Sequence, residues 1–163
     1  IKAFANKFKG NEDVELIIVG DGDEKQKLIE LANTLGVSNQ VSFLGSVARN
    51  DLPSILERAN VFVLPSKFET FGVAYIEAMS CGLPIITTKC GGPEDFFDKE
   101  YGYMIDVGDE EELGEAMESS LINYDRFDKL NISTNIKRMF SKKVIVQKIL
   151  GVYYEVVADE IGE

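Results

Sequence analysis

The sequence predicts an α/β domain with a Rossmann-like, doubly wound parallel sheet and helices on both faces. Three observations carry that prediction. Short β-branched runs alternate with helical segments along the chain. The runs are mostly apolar rather than strictly alternating with polar residues, as expected of strands covered on both faces. Glycines follow most of the runs, where a strand must turn into a helix.

The elements follow in order. "IKAFANKFKG" reads as the back half of an amphipathic helix, with Ile1, Phe4, Ala5 and Phe8 on one face, so the expectation is a start inside a domain. "VELIIVG", Val14 to Gly20, is the first strand. "DGDEKQKLIELANTLGV" then opens on turn and acidic residues, places Leu28, Leu31, Ala32 and Leu35 at helical spacing, and closes on Gly36. "QVSFLG" is the second strand. "ARNDLPSILERA" is a helix that tolerates Pro53 only in its first turn. "NVFVLPS" is a third strand stopped by Pro65, and a helix containing Glu77 follows, ended by Gly82 and Pro84. "PIITTKCGG" and "YGYMIDV" are the fourth and fifth strands. From Asp109 the chain turns helical: "DEEELGEAMESSLI", a segment near Asp125 to Met139, and a last helix from Ser141 as N-cap to about Ala158.

Composition narrows the function. The 163 residues suffice for one domain with a substantial core, and 45% hydrophobic with 28% charged residues is ordinary for a globular chain. Seventeen basic against twenty-eight acidic residues give a net charge of −11, which repels nucleic acid and anionic membrane at long range. No apolar stretch reaches membrane-spanning length and no secretory signal opens the chain, so no membrane insertion is expected. Two cysteines, Cys81 and Cys90, are too few for a disulfide framework and fit a reducing, cytoplasmic setting. Cys81 reads as a core thiol and Cys90 as an incidental loop thiol. There is no histidine, which removes the usual general base and every Ser-His or Cys-His nucleophile.

In open α/β sheets, ligands bind beyond the carboxyl ends of the strands. Those ends carry Gly20-Asp21-Gly22, Gly45-Ser46-Val47, Pro65 to Gly72, and Gly91-Gly92-Pro93-Glu94. Glycines let backbone amides approach a ligand, and helix N-termini favour anions such as a diphosphate. A lone Gly-Asp-Gly is more often a plain turn. Asp21 and Asp23 have Asp-x-Asp spacing, yet no third ligand stands near and acidic residues suit a helix start, so no metal site is expected. A Walker loop is excluded, because the chain has no Gly-Lys-Ser/Thr triplet.

Glu69 and Glu77 say more. Glu77 stands among Ile76, Ala78, Val73 and Ala74, where no local position offers a cation. A buried carboxylate there needs donors from elsewhere in the fold or from a ligand. Carboxylates repel phosphates but match the two donors of a vicinal diol, so a ribose and a sugar are the fitting ligands. The amides of Thr70, Phe71, Gly72 and Val73 lie between them and suit the anion. The structural alternative stays open on spacing alone: Glu77 paired with a remote Lys or Arg, Glu69 favouring a helix N-terminus.

Here a resemblance enters. "PSKFETFGVAYIEAMSCGLPIITTKCGGPEDF", with "IIVGDGDEKQKL" and "VSFLGSVARNDLP" upstream, resembles the nucleotide-sugar domain of retaining GT-B glycosyltransferases of family 4. Their Glu-x7-Glu motif is met without gaps by Pro65, Ser66, Glu69, Phe71, Gly72, Glu77, Ala78, Gly82 and Pro84, and the likeness runs over nearly the whole chain. The resemblance implies that Glu69 lies by the donor sugar and its anomeric region and that Glu77 binds the ribose diol. It implies that the Thr70–Val73 amides contact sugar and diphosphate, and that Gly45 and Val47 meet the base. Gly20 and Gly22 stand at a further donor-side opening, and Gly91, Gly92 and Glu94 form a second loop near the site. It also implies transfer of a hexosyl group with retained configuration from a nucleoside diphosphate sugar, with no cofactor and no obligatory metal.

The departures matter as much. In the family a strand precedes this stretch, followed by an Arg and a Lys that grip the diphosphate; both would lie upstream of Ile1. That strand is central, so a gap in the sheet is expected, filled by swapping, by self-association or not at all. By resemblance the chain is one domain of roughly two, without the N-terminal acceptor domain, and inactive alone. A non-catalytic nucleotide-sugar module working with a separate subunit is the alternative. A GT-B-like epimerase ranks last, since those enzymes generally use a histidine in this half. Lys67 and Phe68 flank the motif, one a candidate phosphate contact or exposed lysine, the other core or lid. The resemblance directs the terminal helix toward the N-terminal domain.

Overall fold

The computed structural model describes residues 1–161. Helix α1 (Lys2–Phe8) buries Ala3, Phe4, Ala5 and Phe8 and leads to strand β1 (Leu16–Val19). Helix α2 (Lys25–Leu35) ends on Gly36 in the left-handed conformation, and strand β2 (Val41–Gly45) follows. Then come α3 (Leu52–Arg58), β3 (Phe62–Val63), α4 (Val73–Ser80), β4 (Ile85–Thr88), β5 (Gly102–Ile105), α5 (Glu110–Ile122), α6 (Lys129–Phe140) and α7 (Lys142–Ile161). All strand pairings are parallel. Every element expected from the sequence is present. The third strand is the one most shortened, to two residues, though Leu64 N–H still donates to Ile86 O at 3.1 Å beyond its end.

The sheet is in two pieces. β1 pairs with β2, and β3, β4 and β5 pair in that order, with no ladder joining β1 to β3 among the described residues. A gap in the sheet is expected from the resemblance, and the two ladders are separate. Ile17 and Val19 of β1 are 36% and 41% exposed.

Helices cover both faces. Ile86 of β4 packs with Phe4, Phe8, Ala32, Ala116 and Met117, which places α1, α2 and α5 on one side. Its neighbour Ile85 packs with Tyr75, Met79, Ile132 and Ile136, which places α4 and α6 on the other. Alternate residues of one strand thus feed two cores, and all four residues of β4 are buried. Gln40 is the polar tie of the first core. Its side-chain amide donates to Asn11 O at 2.7 Å and Phe8 O at 2.9 Å, and its Oε1 accepts from Gly10 N–H at 2.9 Å. Those bonds tie the α1–β1 connection to the start of β2 and satisfy the buried Phe8 carbonyl.

Helix α7 is different. Val146, Ile149, Leu150, Val152, Tyr153 and Tyr154 are all exposed along it. No helix among the described residues is long and apolar enough to cross a membrane.

Tyr75 is fully buried, and its hydroxyl donates to Leu64 O at the end of β3. Burial raises the phenol above its ordinary value of 10.0. The unfolded chain therefore ionises first as the pH climbs, so this contribution to stability is whole below pH 10 and is lost as pH rises through the folded value. Urea unfolding should show Tyr75→Phe weaker than wild type by about 1 kcal/mol at neutral pH, the worth of the hydrogen bond. Above pH 10 the gap should narrow; a constant gap would mean the phenol does not govern the alkaline limb.

Candidate functional site

The segment after β3 is fixed to the segment after β4 by its backbone. Glu69 N–H donates to Cys90 O at 3.0 Å and Glu69 O accepts from Gly92 N–H at 2.8 Å, an isolated parallel bridge beyond both strands. The approach is close enough to require glycine. A Cβ on Gly92 would stand 2.4 Å from Phe71 Cα, and one on Gly91, itself at φ +108°, would stand 2.8 Å from Glu69 O. Glu94 turns back and accepts from Gly91 N–H at 2.9 Å, closing the second loop.

Past Glu69 the chain turns into α4 through Gly72, left-handed at φ 88°, whose carbonyl accepts from Tyr75 N–H at 3.0 Å. The amides of Thr70, Phe71, Gly72 and Val73 have no protein partner among the described residues. They stand at the positive end of the helix with Thr70, Phe71 and Val73 exposed. Glu69 is half-buried, and its carboxylate takes no protein hydrogen bond among the described residues. Such an arrangement offers donors for an anion beside a free carboxylate for hydroxyls.

Glu77 lies one turn beyond Val73, on the solvent side of α4; Tyr75, Ala78 and Met79 face inward. It is not the buried carboxylate that the flanking residues implied: its side chain is 33% exposed. Nor is it unpartnered, since Arg49 Nη2 donates to its Oε1 at 3.0 Å. The helix presents Glu77 on its wet stripe, so apolar sequence neighbours are not spatial ones. Arg49 comes from the loop after β2, which also carries Gly45 and Val47, and is 84% exposed. This pair joins the loop after β2 to the exposed side of α4.

The first two openings meet each other. Gly20 N–H donates to Gly45 O at 2.8 Å, and the Asp21 carboxylate takes Lys25 Nζ at 3.0 Å and Gly22 N–H at 2.9 Å. The Lys25 hydrogen bond, with that of Gly22, holds the Asp21 carboxyl below its ordinary value. Asp21 is thus occupied as a turn residue. No group of three or more Cys, Asp or Glu side chains is placed to hold a metal among the described residues.

The structure therefore gathers Glu69, Thr70, Phe71, Gly72, Val73, Gly91, Gly92 and Glu94 into one unit. It sets Glu77 one helical turn away and places Gly20, Gly22, Gly45 and Val47 at the neighbouring strand ends. A cavity of about 440 Å³ lined by Lys99, Glu100, Arg126, Asp128 and Asn131 lies instead beside the amino end of β5. The cysteine expectation changes at Cys90, while Cys81 does pack against the buried Leu56, Ala78 and Leu83. Cys90 is buried and contributes its carbonyl to the bridge, whereas Cys81 is only half-buried. Phe68 is 76% exposed, so it is not core. Sequence reasoning missed Arg49 as a named residue, because a single arginine in a polar loop carries no spacing signal.

A parallel α/β domain with these strand ends is half of a GT-B fold. Sucrose-phosphate synthase from Thermosynechococcus elongatus matches 97% of the chain with a TM-score of 0.81 at 23% identity. Anabaena HepE, solved in complex with UDP, matches 94% of it with a TM-score of 0.81 at 25% identity. The chain belongs to the family of glycosyl transferases group 1, which matches residues 1–139. Among curated relatives, N-acetyl-alpha-D-glucosaminyl L-malate synthase of Bacillus anthracis is 31% identical over 98% of the chain. The lipopolysaccharide core biosynthesis glycosyltransferase LpsE of Rhizobium meliloti is 39% identical over 64%. The chain spans 42% and 31% of the length of these two relatives.

Two substitutions separate the parts of this site. Gly92→Ala must push Phe71 away and should cost about 1–3 kcal/mol in urea unfolding, as overpacking does. Arg49→Ala removes a largely exposed pair and should change stability by less than about 1 kcal/mol. Equal costs would contradict the division between a fixed backbone bridge and a loose side-chain pair.

Proposed function

We propose that the chain is the donor-binding domain of a retaining glycosyltransferase of the family 4, Glu-x7-Glu type. It transfers a hexosyl group from a nucleoside diphosphate sugar to a glycan or lipid-linked acceptor in the cytoplasm. The observation that carries this reading is the clamped Glu69 segment, with four unpaired amides leading from one carboxylate toward a second on the same helix. HepE is also solved in complex with UDP-glucose, and relatives are named as transferases of sugars, which supports a nucleotide-sugar donor and gives the non-catalytic module nothing in its favour.

On this reading the Glu77 carboxylate accepts hydrogen bonds from both ribose hydroxyls, sharing its oxygens with Arg49. The Thr70–Val73 amides and the helix dipole carry the diphosphate and sugar hydroxyls, and they strengthen as charge builds on the leaving group. Gly45 and Val47 meet the base with backbone groups. Gly20 and Gly22 line the donor side, and Gly91, Gly92 and Glu94 hold the loop beneath the sugar. Glu69 touches the sugar and orients its anomeric carbon. The bond from that carbon to the diphosphate oxygen breaks, and the acceptor oxygen bonds on the same face. The acceptor proton leaves with the diphosphate. No metal or cofactor is part of this scheme. A second domain holding the acceptor completes the cleft and covers the exposed apolar residues of α7.

In the full chain as the cell makes it, calorimetry with UDP, GDP and ADP should identify one base that binds. Glu77→Ala should weaken that nucleotide by roughly 10- to 100-fold, the loss of hydrogen bonds to a charged group. The 2′-deoxy nucleotide should already be weaker for wild type and lose less in the mutant than the ribonucleotide does, since only its 3′-hydroxyl bond remains to be lost. Full additivity of the two changes would refute the ribose assignment. Glu69→Gln should leave the affinity intact and lower turnover by about 100-fold or more.

A further inference from the structure

Phe140 is the first residue beyond the stretch that the family covers, and it reaches the donor segment. Its ring centroid lies 5.6 Å from that of Phe71 at 83° and 5.7 Å from that of Phe96 at 81°. Phe71 and Phe96 stand 6.3 Å apart at 62°, so the three rings close an edge-to-face triad. Phe71 is 42% exposed and cannot be held by depth of burial. What holds it is the Gly92 backbone below and the two rings beside it.

Phe140 is itself well placed to act as an anchor. It continues the stripe of Ile132 and Ile136, which are 1% and 0% exposed, at helical spacing on α6. Ser133 Oγ donates to Ser80 O at 2.8 Å and ties the same helix to the end of α4. At Ser141 the chain leaves the helix, with ψ 149°, before α7 begins. The last side chain of a fixed helix is thus the one set against Phe71.

We propose that Phe140 is a positioning residue for the donor: by holding Phe71, it fixes the Thr70–Val73 amides in the geometry that receives the nucleotide-sugar. It touches no substrate itself and acts through the Phe71 ring. This rests on the donor-site reading above.

The test compares Phe140→Ala, Phe140→Tyr and, as a control for lost core packing on the same helix, Ile132→Ala in the full chain. Two readouts are taken: amide hydrogen exchange over residues 70–74 without ligand, and affinity for whichever of UDP, GDP and ADP binds wild type. Phe140→Ala should speed exchange over that segment and weaken the nucleotide by about tenfold, the scale of lost aromatic pairs. Phe140→Tyr should restore both. Ile132→Ala should lower the unfolding midpoint while leaving local exchange and affinity near wild type. If Phe140→Ala and Ile132→Ala act alike, or if Phe140→Ala leaves affinity unchanged where wild type binds firmly, the positioning role is wrong and the donor reading survives. If wild type binds no nucleotide, the donor reading falls and the positioning role falls with it.

Discussion

Two backbone hydrogen bonds at Glu69 set the geometry on which the rest of the site depends. By bonding to Cys90 and Gly92, Glu69 carries the β3–β4 ladder past the end of both strands. A loop leaving a two-residue strand would otherwise have little to fix its course. The bridge forces close approach, close approach forces the glycine pair, and the chain leaves it aimed into α4 with its amides outward. Tyr75 and the Phe71–Phe96–Phe140 triad then lock the turn from the core side.

A chain of net charge −11 is an unlikely-looking host for a diphosphate by its sum alone, but sums do not locate donors. The free amides at the start of α4 act at contact distance, where a helix N-terminus favours anions whatever the distant surface carries. In the proposed reading the two carboxylates meet hydroxyls rather than phosphates. Arg49 fits the same logic: it occupies one Glu77 oxygen at the surface, where such a pair is weak enough to be shared with a diol.

Much of this was legible in the residues. Short β-branched runs, most of them ending at glycine and the third at Pro65, mark the five strands, and the parallel sheet follows from their alternation with helices. Glu69 through Val73 was legible because one gapless motif spans them, and Gly91 and Gly92 because they follow the fourth strand. A gap in the sheet was expected only through family resemblance, and its position came from the fold, because periodicity within a strand says nothing about its neighbours. Exposure of Glu77 was misread, since apolar sequence neighbours at i±1 point to other sides of a helix. Arg49, 28 residues from Glu77, and Phe140, on another helix from Phe71, meet their partners only through the folded chain. Contacts of that kind leave no spacing signal. Burial of Cys90 was missed for the same reason: it sits at the bridge.

The most direct test of the account is a crystal structure of the full chain with its nucleoside diphosphate sugar. The account predicts both ribose hydroxyls on the Glu77 carboxylate, with diphosphate or sugar oxygens on amides between Thr70 and Val73. A nucleotide bound elsewhere, or one whose ribose points to solvent while Arg49 keeps Glu77 to itself, would contradict it.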